Sequence, residues 1–198
     1  MLDAVYRRDA GWVCWEDRGF RLAGPPARLL LPGSFNPLHR GHTTLAARAA
    51  ERLGLPVAYE LSIANVEKPD LPPAEVERRL EQFRGKASVF VTGAPTFREK
   101  AALFPGCTFV VGADTAVRIV HPRYYGHDSE AMIRALTAIR EHGCRFFVGG
   151  RVDSAGRFVE VADIAVPQTY RDLFTGLSEQ AFRVDISSTE LRASRSER

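Results

Sequence analysis

The sequence predicts an α/β protein: a doubly wound parallel sheet with helices on both faces, plus a short N-terminal β-hairpin extension. Three observations predict it. From residue 27 onward, short apolar runs alternate with stretches of helical composition. Those apolar runs are continuous rather than polar at every second position, as in strands covered on both faces. The helical stretches also carry start signals, Pro72-Pro73 before one and Thr96 with Glu99 at another.

The first 24 residues read apart from the rest. Gly11-Trp12-Val13-Cys14-Trp15 and Gly19-Phe20-Arg21-Leu22 flank the polar Glu16-Asp17-Arg18 in a hairpin pattern, and Gly24-Pro25-Pro26 breaks the chain. We expect an extension over 1–24 and a single main domain over 25–198. Strands are expected at 28–31, 57–63, 89–91, 107–111, 145–148 and 157–161, the last two joined by a turn at 153–156. Helices are expected at 38–53, 74–83, 96–104 and 128–142. The first has Leu45, Ala49 and Leu53 at spacing four and is closed by Gly54. In such a Rossmann-like sheet, ligands bind beyond the carboxyl ends of the strands. That rule directs attention to Gly33, to residues 62–65 and to Gly112-Ala113-Asp114.

Composition bounds the function. A chain of 198 residues, 45 % hydrophobic and 26 % charged, suits one globular domain and excludes a disordered, disulfide-stapled or collagen-like chain. Twenty-seven Lys+Arg against 24 Asp+Glu leave +3, without a run of five like charges, which is no nucleic-acid footprint. Only Lys68, Lys86 and Lys100 are lysine; arginine suits phosphate binding, but compositional bias is the plainer reading. Cys14, Cys107 and Cys144 lie far apart without metal-ligand spacing and are expected as buried thiols. No apolar run approaches the ~18 residues of a membrane helix. The expectation is a cytoplasmic protein without membrane or nucleic-acid partners, its oligomeric state left open, a homo-oligomer included.

The informative segment is Leu29-Leu30-Leu31-Pro32-Gly33-Ser34-Phe35-Asn36-Pro37-Leu38-His39-Arg40-Gly41-His42. A buried strand runs into a glycine turn, and a helix is expected to open at or just after Pro37. Gly33 would let backbone approach a ligand closely. His39 and His42, three apart, fall on one face of the first turn, beside free N–H groups and a partial positive charge. Two imidazoles over a helix N-terminus at a strand's carboxyl end suit phosphate. A zinc reading of the pair lacks a third ligand and a base at metalloprotease spacing. Further along, Ser187 and Glu190 form a capping box whose hydroxyls, amides and nearby Arg192 can bind an anion. Asp114, just past a strand end, can cap the following helix.

The first segment resembles the nucleotidylyltransferase superfamily, whose fingerprint G-x-F-x-P-x-H-x-G-H is met by Gly33, Phe35, Pro37, His39, Gly41 and His42. Ile186-Ser187-Ser188-Thr189-Glu190-Leu191-Arg192 is similar to that superfamily's I-S-S-T-x-x-R signature. The resemblance implies catalytic roles for His39, His42 and Arg192. It implies nucleotide contacts from Gly33, Ser34, Phe35, Asn36, Gly41, Gly112, Asp114, Ile186, Ser187, Ser188 and Thr189, and from Lys68, which matches a phosphate-contacting lysine by position. A substrate phosphate would attack the α-phosphorus of a nucleoside triphosphate and release pyrophosphate. Mg²⁺ would ride on the phosphate oxygens, with no protein metal site.

The I-S-S-T form is most like the nicotinamide or nicotinate mononucleotide adenylyltransferases. The resemblance thus implies ATP and that mononucleotide as substrates, and a role in NAD biosynthesis. A phosphopantetheine adenylyltransferase, a cytidylyltransferase or a non-catalytic nucleotide-binding module are the alternatives. One departure stands out. Residues 92–97 lack the tryptophan on which many of those adenylyltransferases stack the pyridine, leaving Phe97, Tyr124 or Tyr125 to stack or simply to pack.

Overall fold

The computed structural model describes residues 1–22, 26–66, 69–152 and 156–180. Helix α1 (Leu2–Tyr6) leads into a hairpin of β1 (Trp12–Glu16) and β2 (Gly19–Arg21). β3 (Leu29–Pro32), α2 (Arg40–Leu53), β4 (Ala58–Ser62), α3 (Pro73–Leu80) and β5 (Val89–Thr92) form one half of the main domain. Helix α4 (Phe97–Leu103) crosses to β6 (Thr108–Gly112), followed by α5 (Ala113–Ile119), α6 (Ser129–Glu141) and β7 (Arg145–Gly149). A small antiparallel pair, β8 (Arg151–Val152) and β9 (Phe158–Val159), precedes β10 (Phe174–Gly176).

Across the large sheet the order is β10-β7-β6-β3-β4-β5-β1-β2. The six strands from β10 to β5 are parallel, and β1 and β2 extend the sheet antiparallel. Numbered among themselves, the parallel strands run 6-5-4-1-2-3, the doubly wound order, which reverses between β3 and β6. Leu29, Leu31, Tyr59, Leu61, Val89 and Val91 bury one face under α1, α2 and α3. Leu30, Phe90, Phe109, Val111, Phe146 and Val148 bury the other under α4, α5 and α6. The strands are therefore apolar on both sides, as their continuous sequence pattern requires.

Local signals set the helix ends. Thr96 Oγ1 accepts the Glu99 N–H at 3.3 Å while Glu99 Oε2 accepts the Thr96 N–H at 3.0 Å, the capping box read from the sequence. Asp128 accepts the N–H groups of Glu130 and Ala131 at 2.8 and 3.0 Å and starts α6. Gly54, at φ +65°, closes α2. The three cysteines are free and buried, and burial pushes the Cys14 thiol up to about 11.

Several elements depart from expectation. The hairpin joins the main sheet itself, Trp12 pairing with Thr92 and Trp15 with Val89. α1 and β10 carry too few residues to show a period. Strand character at 157–161 is confined to Phe158–Val159, because Glu160 and Asp163 cap a 3-10 turn at Val161–Asp163. Pro37 does not enter the helix: it follows a cis peptide bond in the preceding turn, and α2 starts at Arg40 with His39 as its N-cap.

Candidate active site

The ladder between β3 and β6 pairs only Leu29 with Thr108 and Leu30 with Phe109. β3 stays paired with β4 as far as Pro32 opposite Glu60, and β6 with β7 as far as Gly112 opposite Gly149. The two halves of the sheet thus part beyond Leu30 and Phe109, at the point where the strand order reverses. That opening is where a doubly wound sheet takes its ligand. The loop from Gly33 to His39 borders it on one side, and Gly112 with the start of α5 on the other.

Gly33 donates its N–H to the Glu60 carbonyl at 2.9 Å. A Cβ at Gly33 would lie 2.7 Å from the Phe35 ring, so glycine here makes room for that ring. Phe35 is fully buried at φ +46°, its ring edge-on to His42, Tyr59 and Phe83. It therefore offers no side-chain surface to a ligand and instead backs the His42 imidazole.

The two histidines close the first turn of α2 on each other. His39 Nδ1 accepts the Gly41 N–H at 3.1 Å, and His42 Nδ1 faces the His39 N–H at 3.4 Å. Their rings stack at 3.8 Å and 27°. A neutral imidazole that accepts at Nδ1 carries its proton on Nε2. Both rings therefore hold an Nε2–H donor on the side away from the backbone. Burial lowers the pKa of His39, and burial followed by the nearby His39 lowers that of His42 to about 4. Both are neutral donors at neutral pH.

Across the opening, a Cβ at Gly112 would meet nothing within 4 Å, so the space above it is open. Gly112 is the N-cap of α5; Asp114 lies in the first turn and is not the cap. Its carboxylate is paired with Arg151, which follows the end of β7. Among the described residues no three His, Cys, Asp or Glu gather as a metal cluster.

A family model described as cytidylyltransferase-like matches residues 30–194. The chain belongs to the cytidylyltransferase-like family. No curated protein matches it. Membership of the family establishes the nucleotidyltransferase superfamily and small-molecule nucleotides as the substrate class. No described helix is long and apolar enough to cross a membrane.

For this cytidylyltransferase-like chain the fold gathers His39, Gly41 and His42 at one helix terminus, with Ser34 and Asn36 in the loop before it. It sets Gly112 at the end of β6, the strand next to β3, and Asp114 in the first turn of α5. Lys68, Ile186, Ser187, Ser188, Thr189 and Arg192 lie outside the described residues. Of the aromatic alternatives, Phe97 packs on Phe109 and Phe146, and Tyr125 donates its hydroxyl to the Ile119 carbonyl at 2.9 Å. Tyr124 alone of the three is exposed, its ring near the Arg118 guanidinium.

Three features escaped the sequence reading. Arg151 is signalled only by Gly149-Gly150 ahead of it at a strand's carboxyl end. Lys100 Nζ, buried, donates to Glu60 Oε1 at 2.7 Å and to the Ala94 carbonyl at 2.7 Å, while Thr92 Oγ1 donates to the same carboxylate at 2.5 Å. Glu60 inside an otherwise apolar strand was the available signal, since a carboxylate there demands a cation. The third is the set of side chains from α3 and Gln82 that holds the loop before α2.

Proposed function

We propose that the chain joins AMP from MgATP to nicotinamide or nicotinate mononucleotide and releases pyrophosphate. The observation that carries the reading is the reciprocal cap of His39 and His42 beside the sheet opening. It places two neutral imidazoles at the start of a 14-residue helix that borders the opening where a polyanion would sit. In this reading the acceptor phosphate attacks the α-phosphorus, the bond to the β-phosphate oxygen breaks, and pyrophosphate departs. His42 donates to the α-phosphate oxygens and His39 lines the triphosphate. Ser187, Ser188, Arg192 and Lys68 hold the outer phosphates. Asp114 meets the ribose once its carboxylate turns from Arg151. Mg²⁺ arrives on the phosphates as part of the substrate and needs few protein ligands. No nucleophile from the chain is required; positioning and charge stabilisation supply the rate.

A second reading, transfer to a different acceptor such as a phosphopantetheine or with CTP as donor, is favoured by one observation. The aromatic candidates Phe97 and Tyr125 are committed to internal packing, which removes two of three surfaces for a pyridine ring. A pyrophosphate-release assay with MgATP and MgCTP against a panel of these acceptors separates the readings. We expect release with MgATP and a pyridine mononucleotide. Release only with another pair would favour the second reading, and none with any pair would reject transfer.

A further inference from the structure

Three polar side chains of α3 and the turn that continues it, Arg78, Arg79 and Gln82, reach the loop between Gly33 and His39, and Glu75 holds the two arginines. Gln82 Oε1 accepts the Leu38 N–H at 2.8 Å, and its Nε2 donates to the Phe35 carbonyl at 2.9 Å and to the Arg79 carbonyl at 3.1 Å. The amide orientation follows from its partners, since an N–H needs the oxygen and a carbonyl needs the NH₂. Buried Arg79 donates to the Ser34 carbonyl at 2.9 Å and to Glu75 at 2.7 Å. Arg78 reaches the Asn36 side chain at 2.9 Å.

The loop needs such a hold. It belongs to no strand or helix, and Phe35 sits at a left-handed φ that a bulky residue rarely adopts. The peptide Gln82 grips, Pro37–Leu38, lies one residue before the His39 cap. We propose that Gln82 is a positioning residue of the triphosphate site: its single amide fixes both ends of the Phe35–Leu38 bend and thereby sets where the His39–His42 pair stands. The proposal rests on the reading that this pair binds a triphosphate.

Calorimetric titration with MgATP and MgCTP tests it, comparing the parent with Gln82→Ala and Gln82→Glu across pH. Gln82→Ala should weaken triphosphate binding about tenfold or more at every pH. In Gln82→Glu an oxygen replaces the NH₂ and faces two carbonyl oxygens. Near pH 8 it should bind about tenfold more weakly than the parent, recovering toward the parent as acidification protonates the carboxyl and restores a donor. Loss of an unrelated kind would not reproduce that pH dependence. Binding by Gln82→Ala within about twofold of the parent overturns the proposal, because a carboxylate's charge alone would then explain the other variant. A Gln82→Glu profile parallel to the parent's also overturns it, and that variant decides the matter if the alanine form does not fold. A parent that binds neither nucleotide defeats the triphosphate reading itself, and the clamp with it.

Discussion

His39 and His42 cap the same helix reciprocally: the N–H of His39 faces Nδ1 of His42, and Nδ1 of His39 accepts from the following turn. Serine, threonine and acidic residues usually fill such a box. Imidazoles here satisfy the backbone with one nitrogen and keep the other as a donor. In the proposed function the same two side chains hold the helix end and meet the triphosphate.

That arrangement makes stability depend on pH. His42 titrates at about 4 in the folded chain against an ordinary 6.5, and His39 is lowered as well. Between those values the unfolded chain binds a proton that the folded chain refuses, so stability is complete above about 6.5 and falls as pH drops toward 4. Glu75, held at about 2 first by Arg78 and then by Arg79, adds a loss of the same sign only below its ordinary 4.5. A His42→Gln variant should therefore flatten the slope between pH 6.5 and about 4 and leave the limb below that intact. Urea midpoints across that range test this; identical slopes for parent and variant would remove the histidine from the explanation.

The Glu60–Lys100 pair is a structural liability when halved. Lys100→Met leaves a buried carboxylate without its cation and should cost about 3–5 kcal/mol. Replacing both residues with methionine should recover most of that loss, because the desolvation penalty disappears with the charges. Denaturant unfolding of the single and double variants measures the difference; a single variant as stable as the parent would show that the pair is not felt.

Gly33→Ala places a methyl group against the Phe35 ring at 2.7 Å, and the ring has no room to retreat. We expect a loss of about 1–3 kcal/mol, the usual cost of overpacking. It should also displace the loop ahead of the histidine pair. A thermal melt and a MgATP titration on the same sample read both effects, and an unchanged melting point would mean that the ring moves freely.

Arg151 separates binding from stability. Its pair with Asp114 is partly exposed, so Arg151→Ala should change stability by no more than about 1 kcal/mol. Beside a bound triphosphate, however, the variant leaves Asp114 as an uncompensated negative charge, and nucleotide affinity should fall about tenfold. Equal affinities in a titration would place Arg151 outside the site.

What the sequence revealed, and what it hid, divides by range. The cap of α4 by Thr96 and Glu99, the end of α2 at Gly54 and the apolar strands are each encoded within a few residues, and they were legible. His39 as a cap was not, because proline two residues earlier offers a more familiar helix start. The union of Trp12 with Thr92 and the holds of Gln82 on Phe35 and of Lys100 on Glu60 join residues at least 40 positions apart. Nothing local announces such partners; only the oddity of a carboxylate in an apolar strand hinted that one existed.

The claim that the histidine pair performs nucleotidyl transfer is tested most directly by pyrophosphate release from parent and His42→Ala at saturating MgATP and pyridine mononucleotide. We predict steady release by the parent and a turnover about a hundredfold or more lower in the variant, as expected for removal of one donor to the transferring group. A variant turning over within about threefold of the parent would contradict the account.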